Sequence, residues 1–396
     1  MTTRILTLAV VLLLPVFSRA ACCYFSAQNN DVLQPAQKVF ISWNPDTKTE
    51  TFTVQPKFEG SSADFGMVIP TPARPKLDEM PRDFFKALAT FTILEPVDWE
   101  KFSKPSFSGK TAPAPAAEYS ADFNLRKSRA STVKVVEAGV VGSLDYKIIT
   151  AERADDVYDW LKENKYSYNG DEATLGHYVS KKWFFTVMKI DTKQIRNGFL
   201  KKTFTGELTP TRFRFQSPAL IYPLRITQKS VKDSTEMLMY VQAPEKVDLP
   251  AAFSYQDSWQ WMWRQGFDQA PLSKMTETER AWYAHTEKLA EPCFTRVKEL
   301  QAAGRQAPTL EWAKRITSRD AGMLSGSVKF NREAPAESVS ALQCLRGHVK
   351  TGQVITKIRK VFKRDEMNDD LVLRTASFGG RADRVEYFAG LPSSPP

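Results

Sequence analysis

Side chains that could do chemistry are sparse in this chain and are spread along its whole length. Trp259, Trp261 and Trp263 put three indoles at alternate positions. On a strand they share one face, a stacking platform for sugar rings or other flat ligands, with indole N–H groups as donors. On a helix the platform disappears. A second concentration is basic. Arg346, Lys350, Lys357, Arg359, Lys360, Lys363 and Arg364 follow one another with no acidic residue between. In an extended conformation Lys357 and Arg359 alternate with Thr356, Ile358 and Lys360, giving a basic face and a largely apolar one. Such a face, with Lys357, Arg359, Lys360, Lys363 and Arg364 as its candidates, meets anionic lipid or another polyanion by charge attraction. An ordinary solvated face is the commoner use of such a run.

Catalytic signatures are missing by type and spacing, and no catalytic residue is assigned. No G-x-S-x-G elbow exists, and Ser325 in Met323-Leu324-Ser325-Gly326 is only an echo of one. His177 lies near Asp171 and Glu172, which could make it a base, yet a lone histidine more often packs or caps. Asp155 and Asp156 are adjacent, as are Asp369 and Asp370. Neighbouring carboxylates on a helix point about 100° apart, whereas a glycosidase needs two facing each other across a cleft. No phosphate loop of the G-x-x-x-x-G-K-[ST] type occurs. The three histidines, His177, His285 and His348, lack metal-ligand spacing, and no C-x-x-C pair exists. No metal set and no cofactor is therefore expected.

The four cysteines, Cys22, Cys23, Cys293 and Cys344, take their meaning from what precedes them. Arg4 opens a positive start, Ile5 to Phe17 form an apolar run too short to cross a bilayer comfortably, and Ser18-Arg19-Ala20 offers a cleavage site. Residues 1–20 read as a secretory signal peptide, which predicts export to the periplasm or beyond the cell. An even number of cysteines in an exported chain favours disulfides. Pairing the two N-terminal cysteines with Cys293 and Cys344 closes the longest loops, and a vicinal Cys22–Cys23 bond is strained. A lipoprotein reading competes, with Cys22 as the acylated residue, although Arg19 fits that signal poorly. No further run of eighteen apolar residues follows, so no transmembrane span is expected in the mature chain.

A chain of 396 residues, 42% hydrophobic and 25% charged, belongs with ordinary globular proteins of two or three domains. The formal charge of +10 permits acidic partners without requiring them. Nucleic acid is not expected, because export removes it and no recognition signature appears. The partner expected is an envelope component, with a glycan or an anionic lipid as candidates.

The elements that must hold these residues follow from periodicity. Gln37–Trp43 and Thr49–Phe58 flank Asn44-Pro45-Asp46 and predict a hairpin. Ala63–Ile69 predicts a third strand, and Pro81–Leu94 a helix with Phe84, Phe85, Leu88, Phe91 and Leu94 on one face. Residues 96–130 dissolve into Pro, Ala, Ser and Lys and read as a linker or long loop. From Thr132 to Ile190 the apolar period switches from 2 to 3.6 and back, predicting two strands, one or two short helices and a returning strand. Phe204, Arg212–Phe215, Leu220–Thr227 and Met237–Val241 are strand-like. Thr276-Glu277-Thr278-Glu279 is a capping box, Leu310–Ile316 suggests a helix, and Gln353–Phe362 and Leu371–Ala376 suggest closing strands. The expected class is α+β: antiparallel-rich sheets with helices on one face, and a more helical C-terminal part. The expected divisions are a signal at 1–20, a β-rich lobe at 21–95, the linker at 96–130, an α+β unit at 131–250 and a mixed, helix-rich lobe at 251–396.

Several stretches together resemble the bacterial exported family known as domain of unknown function 2330. They are CCYFSAQNNDVLQPAQKVFISW, FTVQPKFEGSSADFGMVIPTP, GSLDYKII, DWLKENKYSY, HYVSKKWFFTVMKI and PALIYPLRIT. The resemblance runs from about Cys22 to the DDLVL stretch ending at Leu373. It implies secretion or an envelope association, and it carries no activity, cofactor or catalytic residue with it. The expected function is thus an exported, non-catalytic binding or structural protein, with an uncharacterised hydrolase of envelope glycans or other polymers as the alternative.

Overall fold

The computed structural model describes residues 24–27, 33–60, 65–93, 95–96, 131–142, 144–164, 166, 172–190, 204–207, 209–255, 276–277, 280–281, 284, 298–329, 339–376 and 386–387. Within these, 24–27, 33–36, 56–60, 65, 95–96, 190, 204–207 and 386–387 are described by backbone alone. The signal peptide, the linker from residue 97 on, the Trp259 cluster, Cys22, Cys23 and Cys293 lie outside the described residues.

In chain order the strands begin with β1 (Tyr24–Ala27), β2 (Leu33–Asn44), β3 (Thr49–Gly60), β4 (Phe65–Thr71) and β5 (Lys76–Glu79). Helix α1 (Phe84–Phe91), β6 (Glu95–Pro96), β7 (Lys134–Val141), β8 (Leu144–Thr150), α2 (Ala154–Glu163), α3 (Glu172–Ser180) and β9 (Phe184–Ile190) follow. Then come β10 (Phe204–Glu207), β11 (Thr211–Gln216), β12 (Ile221–Tyr222), β13 (Ser234–Ala243), β14 (Val247–Asp248) and β15 (Thr309–Arg315). Helix α4 (Ser318–Ser325), β16 (Val354–Lys363), β17 (Leu371–Val372), β18 (Arg374–Thr375) and β19 (Glu386–Tyr387) end the series. Two larger sheets result. One has five strands in the order β1-β4-β9-β8-β7, and the other has eight, β15-β16-β13-β2-β3-β11-β5 with β10 also on β3. All pairings in the two are antiparallel except β13 on β2.

Side-chain alternation stacks these sheets into four layers. Val39 and Ile41 of β2 and Phe52 and Val54 of β3 share one buried cluster with Met67 and Ile69 of β4 and Met188 of β9. This is the core between the sheets. The intervening residues turn the other way, as a period of 2 requires. Phe40, Tyr240 and Ile355 on the back of the large sheet meet Phe84, Phe85, Leu88 and Phe91 of α1 and Leu324 of α4. Val68, Phe185 and Val187 on the back of the small sheet meet Val157 and Leu161 of α2 and Leu175 and Tyr178 of α3. Each sheet thus has helices on one face and the other sheet on its second, the α+β arrangement expected. Full burial of each large apolar side chain contributes roughly 1.5–3 kcal/mol, so the three clusters together hold the layers.

Local chemistry explains the elements that form as expected. Asn44 Oδ1 accepts the Asp46 and Thr47 amides at 2.9 and 3.1 Å, turning β2 into β3. Asp155 and Asp156 occupy the first turn of α2, where negative charge offsets the helix dipole. Thr317 and Asp320 close a capping box on α4, and Gly326 ends it at φ 78°, a left-handed conformation that glycine adopts without strain.

Two segments differ from the periodicity reading. Leu310–Ile316 is not helical: it falls almost wholly in β15, paired with β16. A register shift between Leu310 and Trp312 sends Leu310 and Ala313 into the same core, three residues apart, while Trp312 faces α1. That bulge imitates a helical period. Leu220–Thr227 is only briefly extended, because Pro223 follows β12 and a 3-10 turn takes over at Arg225–Ser230. A more helical C-terminal part is not confirmed: the described residues there include the long strand β16 and only short helices.

Candidate functional site

Helix α3 carries Leu175, Tyr178 and Val179 inward, and its adjoining edge presents His177 and, one turn on, Lys181. The 3-10 turn at Arg225–Ser230 packs beside it. The segment Asn368-Asp369-Asp370, leading into β17, completes the group. Asp370 is the centre. Its Oδ1 accepts the Tyr178 hydroxyl at 2.7 Å and the Arg225 amide at 3.2 Å, while the Tyr178 oxygen accepts the Ile226 amide at 3.0 Å. Burial first, then the neighbouring Asp370 carboxylate, push the Tyr178 hydroxyl well above its ordinary range, so it remains a donor.

The second carboxylate oxygen faces the imidazole. His177 Nε2 stands 3.4 Å from Asp370 Oδ2 and 3.6 Å from Asp369 Oδ1. Lys181 Nζ lies 2.8 Å from the same Nε2 and 3.7 Å from Asp370 Oδ2. On the other side of the ring, Arg225 places a guanidinium nitrogen 3.2 Å from Nδ1. The Asp370 side chain is 4% exposed, His177 16%, Lys181 41% and Asp369 77%, so the group opens to solvent along Lys181 and Asp369. A neutral imidazole has one lone pair. It is flanked here by two cationic donors.

The basic run lies elsewhere, on β16, and its alternation is as the sequence suggested. Lys357 and Arg359 face outward from the large sheet. Lys357 is 3.0 Å from Glu311 of β15, and Arg359 pairs with Glu311 and with Glu236 of β13. Lys360 points the other way, beside Glu366 at 3.3 Å, with its ammonium 4.6 Å from the Phe362 ring centroid. Burial pulls its pKa down. Lys363 is partly buried at the strand's end and Arg364 exposed beyond it. Among the described residues, then, the run does not gather on one free surface. Cys344 sits in the 3-10 turn Ala341–Leu345 with no disulfide among the described residues, and burial and then the nearby Asp83 raise its thiol to about 11. The expected staple between the chain's two ends is accordingly not shown. Asp156 is tied into the start of α2 by Arg153 and the Thr132 amide, at 2.5 and 2.7 Å.

A family model described as "uncharacterized protein conserved in bacteria", domain of unknown function 2330, matches residues 16–366. The chain belongs to this family. No curated protein matches it. Among solved structures, the crystal structure of baculovirus P35 is similar over 59% of this chain and 75% of that one, at 11% identity and a TM-score of 0.27. A likeness that slight carries no argument.

In this family member His177, Asp369 and Asp370 form the one described group of three residues able to hold a metal ion, their ligand atoms all within 4.8 Å of one another. Sequence reasoning missed their meeting. It weighed His177 against Asp171 and Glu172, and Asp369 with Asp370 only as a pair. The separation of 193 residues between His177 and Asp370 leaves no spacing signal. What the pattern does contain is the dense aromatic strand after Lys182, which fixes α3 against the small sheet through Tyr178, Trp183 and Phe185.

Proposed function

We propose that the chain is exported and acts as a non-catalytic binding or structural protein of the bacterial envelope or extracellular space, with an envelope glycan or anionic lipid as the class of partner. Export is supported by the charged, apolar and small-residue succession of residues 1–20. The non-catalytic part rests on one observation. Asp370, the buried carboxylate best placed to activate His177, spends one oxygen on the Tyr178 hydroxyl and the Arg225 amide, joining α3, the 3-10 turn and the segment before β17. That oxygen ties three chain segments together. The alternative, a hydrolase of envelope polymers, draws on the same convergence of His177, Asp369 and Asp370. Against it, the two aspartates are chain neighbours rather than carboxylates facing across a cleft.

The experiment is expression of the full chain with its leader in a Gram-negative host, followed by osmotic-shock fractionation and intact mass. The expected product is residues 21–396 in the shock fluid or medium. Full-length protein retained in the cytosol would overturn the export reading, and a diacylglycerol adduct at Cys22 would replace it with the lipoprotein one. Turnover of peptidoglycan or another envelope glycan, lost in His177→Gln, would favour the hydrolase.

A further inference from the structure

We propose that His177, Asp369 and Asp370 form a binding site for a divalent first-row transition-metal cation, whose place the Lys181 ammonium takes in the metal-free protein. The distances carry the argument. Two ligands of a tetrahedral ion with bonds of about 2.1 Å lie about 3.4 Å apart. His177 Nε2 is 3.4 Å from Asp370 Oδ2 and 3.6 Å from Asp369 Oδ1. One imidazole and two carboxylates form a donor set that suits zinc, manganese, iron or cobalt, with solvent completing the shell on the side of exposed Asp369.

An independent observation points the same way. Asp370 is almost wholly buried, and its Oδ1 is fixed by the Tyr178 hydroxyl and the Arg225 amide, so Oδ2 is aimed at the imidazole. Among the described residues, Oδ2 makes a long hydrogen bond of 3.4 Å to His177 and lies 3.7 Å from Lys181. Charge-assisted hydrogen bonds to a carboxylate ordinarily measure about 2.7–2.9 Å. A carboxylate oxygen held rigidly by neighbours, yet loosely contacted on its open side, is the outer-shell arrangement that metal-ligating carboxylates require. Asp369 differs in that Oδ1, the oxygen facing the imidazole, itself accepts the Asp370 amide at 2.9 Å, which fixes its position.

The group also holds one cationic donor more than its imidazole can accept. With a metal on Nε2, the ring proton moves to Nδ1. Lys181 swings out into solvent, and the Arg225 guanidinium gives up its contact while its backbone amide stays on Asp370. The tethered ammonium is therefore a competitor that lowers the apparent affinity by the fraction of time it occupies the site.

The test uses the purified full chain, stripped with chelator and titrated with CoCl2 and, in parallel, ZnCl2. It reads the site whatever the compartment, so its failure is separate from failure of the export reading. The expected result is one equivalent of cobalt with the d–d absorption of a four- or five-coordinate ion. Lys181→Met should bind about tenfold more tightly, and His177→Gln and Asp369→Ala should each bind at least about tenfold more weakly. Asp369 is exposed, so its removal leaves the fold in place, which circular dichroism verifies. The proposal is overturned if neither the wild-type chain nor Lys181→Met gives a cobalt spectrum. It is equally overturned if binding is indifferent to His177→Gln and Asp369→Ala, since the ion would then sit elsewhere.

Discussion

The backs of the two sheets each carry a group of charged side chains, and the groups differ in how their charges are matched. On the large sheet, Lys357 and Arg359 of β16 meet Glu311 of β15 and Glu236 of β13. Two cations face two anions on three neighbouring strands, and each donor has an acceptor. Beside the small sheet, His177, Lys181, Arg225, Asp369 and Asp370 come from three chain segments, and the imidazole faces two cationic donors. A balanced set on adjacent strands is what solubility and cross-strand pairing alone produce. The second set also counts two cations and two anions, but both cations turn on one imidazole, and a set so assembled from distant segments around a buried carboxylate costs folding something and calls for a use.

The sharpest way to break that contrast is to remove the carboxylate. Asp370→Ala leaves the Tyr178 hydroxyl and the Arg225 amide without their acceptor. Losing a buried, hydrogen-bonded charge of this kind typically costs about 3–5 kcal/mol. Urea unfolding should show that loss in the midpoint. A cost below about 1 kcal/mol would mean that Asp370 does not hold these three segments together.

How much of this could be read in advance divides along the same line. The large sheet's hairpin, the helix of three phenylalanines and one leucine at Phe84–Phe91, and the two faces of β16 follow from local period and turn chemistry. Lys357 and Arg359 were legible as one face, and Lys360 as belonging to the other. Their partners were not, because Glu236 and Glu311 reach them through strand pairing that no local pattern encodes. The Asp370 group was illegible for the same reason in stronger form, since it depends on the order of strands in both sheets. Leu310 to Ala313 shows the converse failure: one extra residue in a strand shifts the phase, and the local signal then names the wrong element.

A smaller effect is expected at Glu50, a charge that belongs to neither group. It lies fully buried on β3, where its Oε2 accepts the Ile221 amide at 3.0 Å and its Oε1 has no hydrogen-bond partner among the described residues. Burial raises its pKa from 4.5 to about 8, against the lowering effect of that one hydrogen bond. Between those values the folded chain holds a proton that the unfolded chain has released. Stability from this group is therefore complete below pH 4.5 and is lost as pH rises through about 8. Glu50→Gln removes the dependence. It should stabilise the protein by a few kcal/mol at pH 8 and change little at pH 4.5, read as the difference between two urea titrations. An equal effect at both pH values would show that Glu50 is charged throughout and solvated in some other way.

The smallest effect belongs to the balanced group, and its smallness is informative. Glu311→Gln removes the negative charge shared by Lys357 and Arg359, yet Arg359 keeps Glu236, and Lys357 retains the Tyr240 ring 5.7 Å from its ammonium. These side chains are partly exposed, so the pairs are screened, and the expected cost is under about 1 kcal/mol. It should shrink further at 1 M salt, where the screening length falls to about 3 Å. Freeing two cations on the outer face would also make that face more basic, so heparin-column retention should rise in Glu311→Gln. If stability instead drops as far as in Asp370→Ala, the large sheet depends on its charges as heavily as the small one. Matching across neighbouring strands would then no longer distinguish a solvated face from an assembled site.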